Sequence, residues 1–230
     1  MSSELEKEAA ARAALAEVTA GMRLGLGTGS TVAAFLPLLA ERVRGGLAIE
    51  AVPTSNATQR LATSLGLALT SLDEVGTLDL TIDGADEIDP KLDLIKGGGG
   101  ALVREKIVAA NSRRLVIVAD RSKQVATLGA FPLAVEIVPF GAGATLRKLA
   151  QLVSQMSRDG RVTLRRREGE AVVSDNGNLI ADCSFGTIRD PLALARALDD
   201  MPGVIDHGLF LGMADCAYLG TPQGVVTLHR

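Results

Sequence analysis

Three short strand-like runs in this chain each stop at a glycine or an acid, and that punctuation constrains the fold more than any other feature. Residues 22–26 run into Gly27-Thr28-Gly29-Ser30-Thr31, ahead of a helical apolar pattern at 32–43. Residues 78–82 stop at Asp83, and residues 115–119, apolar at every position, stop at Asp120. Continuously apolar strands are buried on both faces, as in a parallel sheet covered by helices. Strand, polar turn and helix in repeated order define an open α/β sheet. A strand at 49–53 precedes a hydroxyl-rich cluster at 54–58 that can cap the next helix. A strand near 67–70 and a helix at 102–110 continue the pattern. An Ala-rich helix over 4–20, capped by Ser2 or Ser3, opens the chain. Strands at 214–219 and 225–228 rejoin the sheet at the end. The core must be aliphatic, because aromatics make up 3% of the 230 residues and tryptophan is absent.

After Phe131-Pro132 the pattern changes. Strands are expected at 134–138, 162–166, 171–174, 179–183 and 204–209, with helices at 143–156 and 191–198. Asp175-Asn176-Gly177-Asn178 is a hairpin turn signal. The order β-α-β-β-α-β is that of a ferredoxin-like lobe. The expected fold is therefore α/β: an open, Rossmann-like, mostly parallel sheet at 1–130 plus 207–230, with a smaller ferredoxin-like α+β lobe at 131–206.

Composition excludes several function classes. The 24 basic and 27 acidic side chains give a formal charge of −3, without the concentrated basic surface that nucleic-acid binding needs. The one basic run, Arg165-Arg166-Arg167, is followed by Glu168 and Glu170 and reads as a solvated edge or turn. Cys183 and Cys216 sit in apolar company and read as buried free thiols. His207 lies in a turn and reads as structural, and His229, near the end, as disordered or solvated. No stretch approaches the roughly 20 apolar residues that span a bilayer, and no signal-peptide core precedes the first helix. The expectation is a cytoplasmic enzyme with no nucleic-acid or membrane partner.

Three constellations carry chemistry. In the first, Gly25, Gly27 and Gly29 let the backbone turn tightly, and Thr28, Ser30 and Thr31 add hydroxyls at the start of a helix whose free amides favour an anion. It is neither a dinucleotide fingerprint, since Ser30 stands where the third glycine belongs, nor a Walker loop. In the second, Asp83-Gly84-Ala85-Asp86-Glu87-Ile88-Asp89 follows a strand, at the sheet edge where open α/β proteins bind ligands. Asp83 and Asp86 can bind a divalent metal or hold sugar hydroxyls and relay protons, or the cluster can be a solvated turn. In the third, Lys96 precedes Gly97-Gly98-Gly99-Gly100, and Glu105 lies in the first turns of the helix beyond. Four consecutive glycines are costly to order, and a loop that wraps its amides round a ligand needs them. A partly desolvated Glu105 can act as a general base; otherwise it is a helix surface charge. Lys123, after Asp120 and Ser122, can reach a phosphate.

These blocks together resemble the type A ribose-5-phosphate isomerase family. The resemblance rests on Gly25 through Thr31, Asp83 through Glu87, Lys96 through Lys106, Ala119-Asp120-Arg121-Ser122-Lys123, Val173 through Asn178, and Pro202 through Phe210. It covers essentially the whole chain. It implies interconversion of D-ribose 5-phosphate and D-ribulose 5-phosphate in the non-oxidative pentose phosphate pathway, through an enediolate, with no metal and no organic cofactor. It implies Glu105 as the base, and Asp83 and Asp86 as groups that contact the sugar and assist ring opening and proton movement. Lys96 stabilises charge. The substrate-binding set it implies is Lys7, Thr28, Gly29, Ser30, Thr31, Asp83, Gly84, Ala85, Asp86, Lys96, Gly97, Gly98, Gly99 and Lys123. It also implies a homodimer or homotetramer. Gly100 stands where some members have alanine, and residues 157–170 match nothing in the resemblance. Two rivals remain at this stage. One is a coenzyme A transferase, which uses a glutamate nucleophile beside a glycine loop. The other is a non-catalytic sugar-phosphate sensor.

Overall fold

The computed structural model describes residues 3–230, so Ser2 lies outside the described residues. The first half of the chain forms α1 (Ser3–Leu15), β1 (Arg23–Leu26), α2 (Ser30–Arg44), β2 (Glu50–Pro53), α3 (Asn56–Ser64), α4 (Leu72–Val75), β3 (Leu80–Asp83), β4 (Glu87–Ile88), β5 (Leu94–Ile95), α5 (Leu102–Ala110) and β6 (Leu115–Asp120), then a 3₁₀ turn at Arg121–Lys123. The second half forms β7 (Leu133–Ile137), α6 (Ala142–Met156), β8 (Arg161–Leu164), β9 (Arg166–Arg167), β10 (Glu170–Ala171), β11 (Leu179–Ser184), α7 (Pro191–Asp199), β12 (Val204–His207), β13 (Leu209–Phe210), β14 (Cys216–Thr221) and β15 (Gly224–His229).

Two compact units divide the chain. Of the described residues, the first comprises 3–85, 104–123 and 212–230. It holds a six-stranded sheet in the order β15-β14-β6-β3-β1-β2. All its pairings are parallel except β14 with β15. On one face Leu24, Leu26, Ile82, Val116 and Val118 pack with Val32, Phe35, Leu36 and Leu39 of α2 and with Ala10, Ala11 and Ala14 of α1. The alanines let α1 approach the sheet closely. A Cβ on Gly220 would stand 1.8 Å from the carbonyl oxygen of Glu6, so helix and strand touch backbone to backbone. Glu17, just beyond α1, accepts from the Tyr218 hydroxyl and from Arg114 at 3.0 Å. Those two donors hold its carboxyl below the ordinary range.

The second unit comprises 86–103 and 124–211. It takes in residues 86–103, 124–130 and 207–211, which the sequence pattern assigns to the larger domain. Its four-stranded sheet runs β12-β7-β11-β8, wholly antiparallel, with α6 and α7 between its strands in sequence, which is the ferredoxin-like order. Leu133, Val135 and Ile137 alternate onto one face and pack with Leu149, Val153, Leu194 and Leu198. A small sheet, β13-β5-β4, adds the 86–95 segment.

Three local expectations need correction. Residues 67–70 make only an isolated bridge, Ala51 to Leu69. Thr70 also bonds Ala51, but the chain turns into α4 at once, so no strand forms. Residues 171–174 form a strand only to Ala171: Val172 still bonds Arg165 and Val173 makes an isolated bridge with Leu179, but Ser174 turns toward Asn178 to close the hairpin, so no continuous ladder forms. His229 is exposed but ordered in β15, paired with Cys216.

The α1 docking gives the first prediction. Gly220→Ala should lower the unfolding free energy by roughly 1–3 kcal/mol, the scale of an overpacked contact, and thermal unfolding should shift down by about 2–4 °C per kcal/mol at this size. Gly143→Ala, whose new Cβ meets nothing nearer than 3.7 Å in α6, should leave the midpoint unchanged or raise it. Equal midpoints for G220A and the unsubstituted protein would contradict the close docking.

Candidate active site

The parallel pairing of β1 with β3 places Leu26 beside Ile82, so Gly27 and Asp83 leave the sheet side by side. Asp83 is fully buried. A buried carboxylate must be hydrogen-bonded, and its Oδ1 accepts the Thr28 amide at 3.0 Å and the Gly84 amide at 2.7 Å. Gly27 makes this possible, because a Cβ there would lie 2.1 Å from Asp83 Oδ1. Gly29, at φ 121°, ends the loop and begins α2 with no side-chain cap on the helix amides. Ser30 and Thr31 occupy the first turn.

A relay of hydroxyls lies beneath this loop. Thr58 donates to the Gly27 carbonyl at 2.7 Å, Ser55 donates to Thr58 at 3.1 Å, and Thr28 donates to Ser55 at 2.8 Å. Since the Thr28 hydrogen goes to Ser55, Thr54 donates to Thr28 across their 2.8 Å contact. Ser55 also caps α3 by accepting the Thr58 amide at 3.0 Å. The sequence reading saw the 54–58 cluster only as a cap. Its surplus of hydroxyls over the single one a cap needs was the available signal.

Glu105 lies in the first turn of α5 and is only 4% exposed, so it is not a solvated surface charge. Lys7 and Ser30 line one cleft of about 380 Å³ with Glu4, Glu8, Ala34 and Pro37. Asp120 receives the Ser122 amide at 3.0 Å and its hydroxyl. Burial opposes the ionised form of Asp120, but the Ser122 bonds, with the charges of Lys123 and Lys7, outweigh it and hold its carboxyl below the ordinary value. Lys7 and Lys123 thus share the neighbourhood of Asp120, while Arg104 turns to Asn56 Oδ1 at 3.1 Å.

In the second unit Asp86 Oδ2 accepts the Gly98 amide at 2.7 Å. Its own amide bonds Ile95. Lys96 is 2% exposed. Its amide bonds the Gly208 carbonyl at 2.8 Å, and its Nζ sits 5.5 Å from the centre of the Phe210 ring, within cation–π range. A Cβ on Gly208 would meet the Lys96 carbonyl oxygen at 2.1 Å. Phe210 as the companion of Lys96 was not legible in the sequence, because it lies on β13, far along the chain from the loop that begins at Lys96. Gly97 is buried, with φ 103°, and Gly98 and Gly99 are exposed. Gly84 and Ala85 are the half-buried spacer between the two aspartates.

The other acids of the cluster serve the fold. Glu87 accepts the Gly129 and Phe131 amides, both at 2.6 Å, and Asp89 accepts those of Lys91 and Asp93. The basic run is corrected: Arg166 and Arg167 are exposed, but Arg165 pairs with Asp182 and bonds the glycine loop. One group of metal-ligating type occurs among the described residues, Asp199, Asp206 and His207. There the Leu209 amide donates to His207 Nδ1 at 3.2 Å, which puts the proton on Nε2, facing Asp199 at 3.3 Å. That nitrogen is a donor, so the cluster is a brace, in keeping with a structural His207. Cys183 and Cys216 are free and buried, and burial pushes the Cys183 thiol up to about 12.

An α/β sheet whose carboxyl edge presents a glycine turn and a buried aspartate belongs to the class of folds that bind ligands at the strand ends. Comparison with known proteins makes this specific. The family model of ribose 5-phosphate isomerase A (phosphoriboisomerase A) matches residues 50–224. The chain is 54% identical to ribose-5-phosphate isomerase A of Rhodopseudomonas palustris over 99% of its own length and 98% of that protein's. It is 55% identical to that of Agrobacterium fabrum over 94% and 93%. Among solved structures it is similar to a D-ribose-5-phosphate isomerase in complex with phospho-erythronic acid, at TM-score 0.94 and 38% identity, with full coverage of both chains. It is likewise similar to the Plasmodium falciparum enzyme, at 0.94 and 38% over 99% of each. The chain belongs to the ribose 5-phosphate isomerase A family.

The relay under the first loop gives the second prediction. Thr58→Val leaves the buried Gly27 carbonyl without its donor and should cost about 1–3 kcal/mol of stability. Amide exchange at residues 27–31 should accelerate relative to α5. Unchanged exchange there would show that the relay does not hold the loop.

Proposed function

We propose that this chain interconverts D-ribose 5-phosphate and D-ribulose 5-phosphate through an enediolate, with Glu105 as the base. The observation that carries the reading is the family match across 50–224, a span that includes Asp83, Asp86, Lys96, Glu105 and Lys123. Glu105 takes the proton from C2 of the open-chain aldose. The C–H electron pair forms the C1–C2 double bond, and the carbonyl pair moves onto O1. Return of the proton to C1 and transfer of the O2 proton toward O1 complete the ketose.

Each remaining residue answers one demand of that sequence. Asp83 and Asp86 hold sugar hydroxyls and move protons between oxygens during ring opening and isomerisation, with Gly84 and Ala85 setting their spacing. Charge developing on the oxygens is stabilised by Lys96 and by glycine-loop amides other than that of Gly98, which Asp86 holds, donors fixed in place before the reaction. Lys7, Thr28, Gly29, Ser30, Thr31 and Lys123 hold the remote phosphate, whose binding energy positions the reacting carbons. Lys7 and Ser30 lining one cleft supports this grouping. Among the described residues no helix is long and apolar enough to cross a membrane. The reading extends to a cytoplasmic homodimer or homotetramer, as the family resemblance implies.

The test is a coupled assay with ribose 5-phosphate after exhaustive dialysis against a chelator. Turnover should be retained in full, since every group invoked belongs to the chain. Binding without turnover would return the sensor reading. A glutamyl thioester formed from an acyl-coenzyme A would return the transferase reading.

A further inference from the structure

The geometry points to Arg165 and Asp182, on the antiparallel lobe, as a positioning pair that sets the orientation of the glycine loop for catalysis. Arg165 follows β8 and Asp182 lies on β11, the strand paired with β8. The guanidinium engages the carboxylate two-pronged: Nε donates to Oδ2 at 2.9 Å and Nη2 to Oδ1. The remaining arm, Nη1, donates to the carbonyl of Gly97 at 2.7 Å and of Gly98 at 3.1 Å. The side chains of the pair are 15% and 22% exposed, unlike a solvated surface pair.

What this does to the loop follows from the peptide plane. In a trans peptide the N–H points opposite to the preceding C=O. With the Gly97 carbonyl drawn to Arg165, the Gly98 N–H faces away from it, and that amide is the one bonded to Asp86 Oδ2 at 2.7 Å. With the Gly98 carbonyl drawn to the same guanidinium, the Gly99 N–H is turned away from Arg165 too. Arg165 therefore fixes two successive amides, one bonded to Asp86 and the next directed away from the guanidinium. Consecutive glycines have little intrinsic preference against a peptide flip; the Gly100 amide bonds the Gly97 carbonyl at 3.0 Å within the loop, and Arg165 adds the side-chain constraint that reaches both the Gly97 and Gly98 carbonyls. Only a planar fork can hold a carboxylate and two carbonyls together; a lysine ammonium cannot reproduce that geometry.

This assignment rests on the isomerase reading, and the test separates the two. Arg165→Met, Arg165→Lys and Asp182→Asn are compared with wild type for kcat and KM on ribose 5-phosphate, thermal midpoint, and amide exchange over 97–100. Arg165→Met should lose about 10²-fold in kcat, the scale of a misplaced catalytic group, with KM changed by less than about threefold and a folded thermal transition. Arg165→Lys should fail to restore kcat, Asp182→Asn should show a smaller loss of the same kind, and exchange over 97–100 should accelerate in all three. If folded Arg165→Met keeps wild-type kcat, or Arg165→Lys restores it fully, the positioning role is wrong. If Arg165→Met does not fold, Arg165→Lys and Asp182→Asn decide on the same readouts, wild-type kcat and exchange in both overturning the role. Absence of turnover in wild type would instead overturn the isomerase reading.

Discussion

A carboxylate with no solvent exposure, Asp83, and the glycine that makes room for it, Gly27, set the geometry on which the first unit's site depends. β1 and β3 are parallel neighbours, so their ends emerge together, and any Cβ at position 27 would occupy the place of the carboxylate. Desolvating a carboxylate is tolerable only when amides replace its water. The Thr28 and Gly84 amides do so, and in doing so they fix the loop's path into α2. The hydroxyl relay from Thr54 to the Gly27 carbonyl then secures the loop from below.

The glycine loop after Lys96 poses the opposite problem: it has no side chains with which to hold itself. Apart from the bond of the Gly100 amide to the Gly97 carbonyl at 3.0 Å, its constraints come from elsewhere in the second unit. Gly208 allows the Lys96 backbone to lie against β12–β13, Asp86 holds the Gly98 amide, and Arg165 takes the two carbonyls. A Cβ at Gly98 would meet Asp86 Oδ1 at 2.6 Å, so that glycine serves close approach rather than flexibility. α5 follows at Leu102 and puts Glu105 in its first turn, buried.

Much of this was legible in the sequence where local rules decide. Residues 115–119 were apolar at every position and became a buried strand, and the 102–110 helix has the bounds read from its pattern. The β-α-β-β-α-β order after Pro132 was readable because each element has its own period and the hairpin its own turn residues. Asp83, Asp86, Lys96 and Glu105 could be singled out because glycine runs and strand ends mark them. What stayed hidden depends on pairing between distant segments. Arg165 looked like part of a solvated run because its partners, Asp182 and the Gly97 and Gly98 carbonyls, are far away in sequence. Phe210 behind Lys96 was invisible for the same reason. Residues 67–70 have strand composition, yet the chain turns into α4 before a ladder can grow.

The central claim is that a carboxylate at position 105 moves the carbon-bound proton, and Glu105→Gln tests it most directly. The amide keeps the shape and much of the hydrogen bonding but cannot accept the C2 proton at neutral pH. Turnover of ribose 5-phosphate and deuterium incorporation into product carbon in heavy water are measured together, with substrate binding followed by calorimetry. The account predicts that kcat falls about 10²–10⁴-fold, the usual contribution of a general base, that incorporation falls with it, and that affinity is largely retained. A folded variant that binds ribose 5-phosphate normally and isomerises it within about threefold of wild type would contradict the account and shift the base to Asp83.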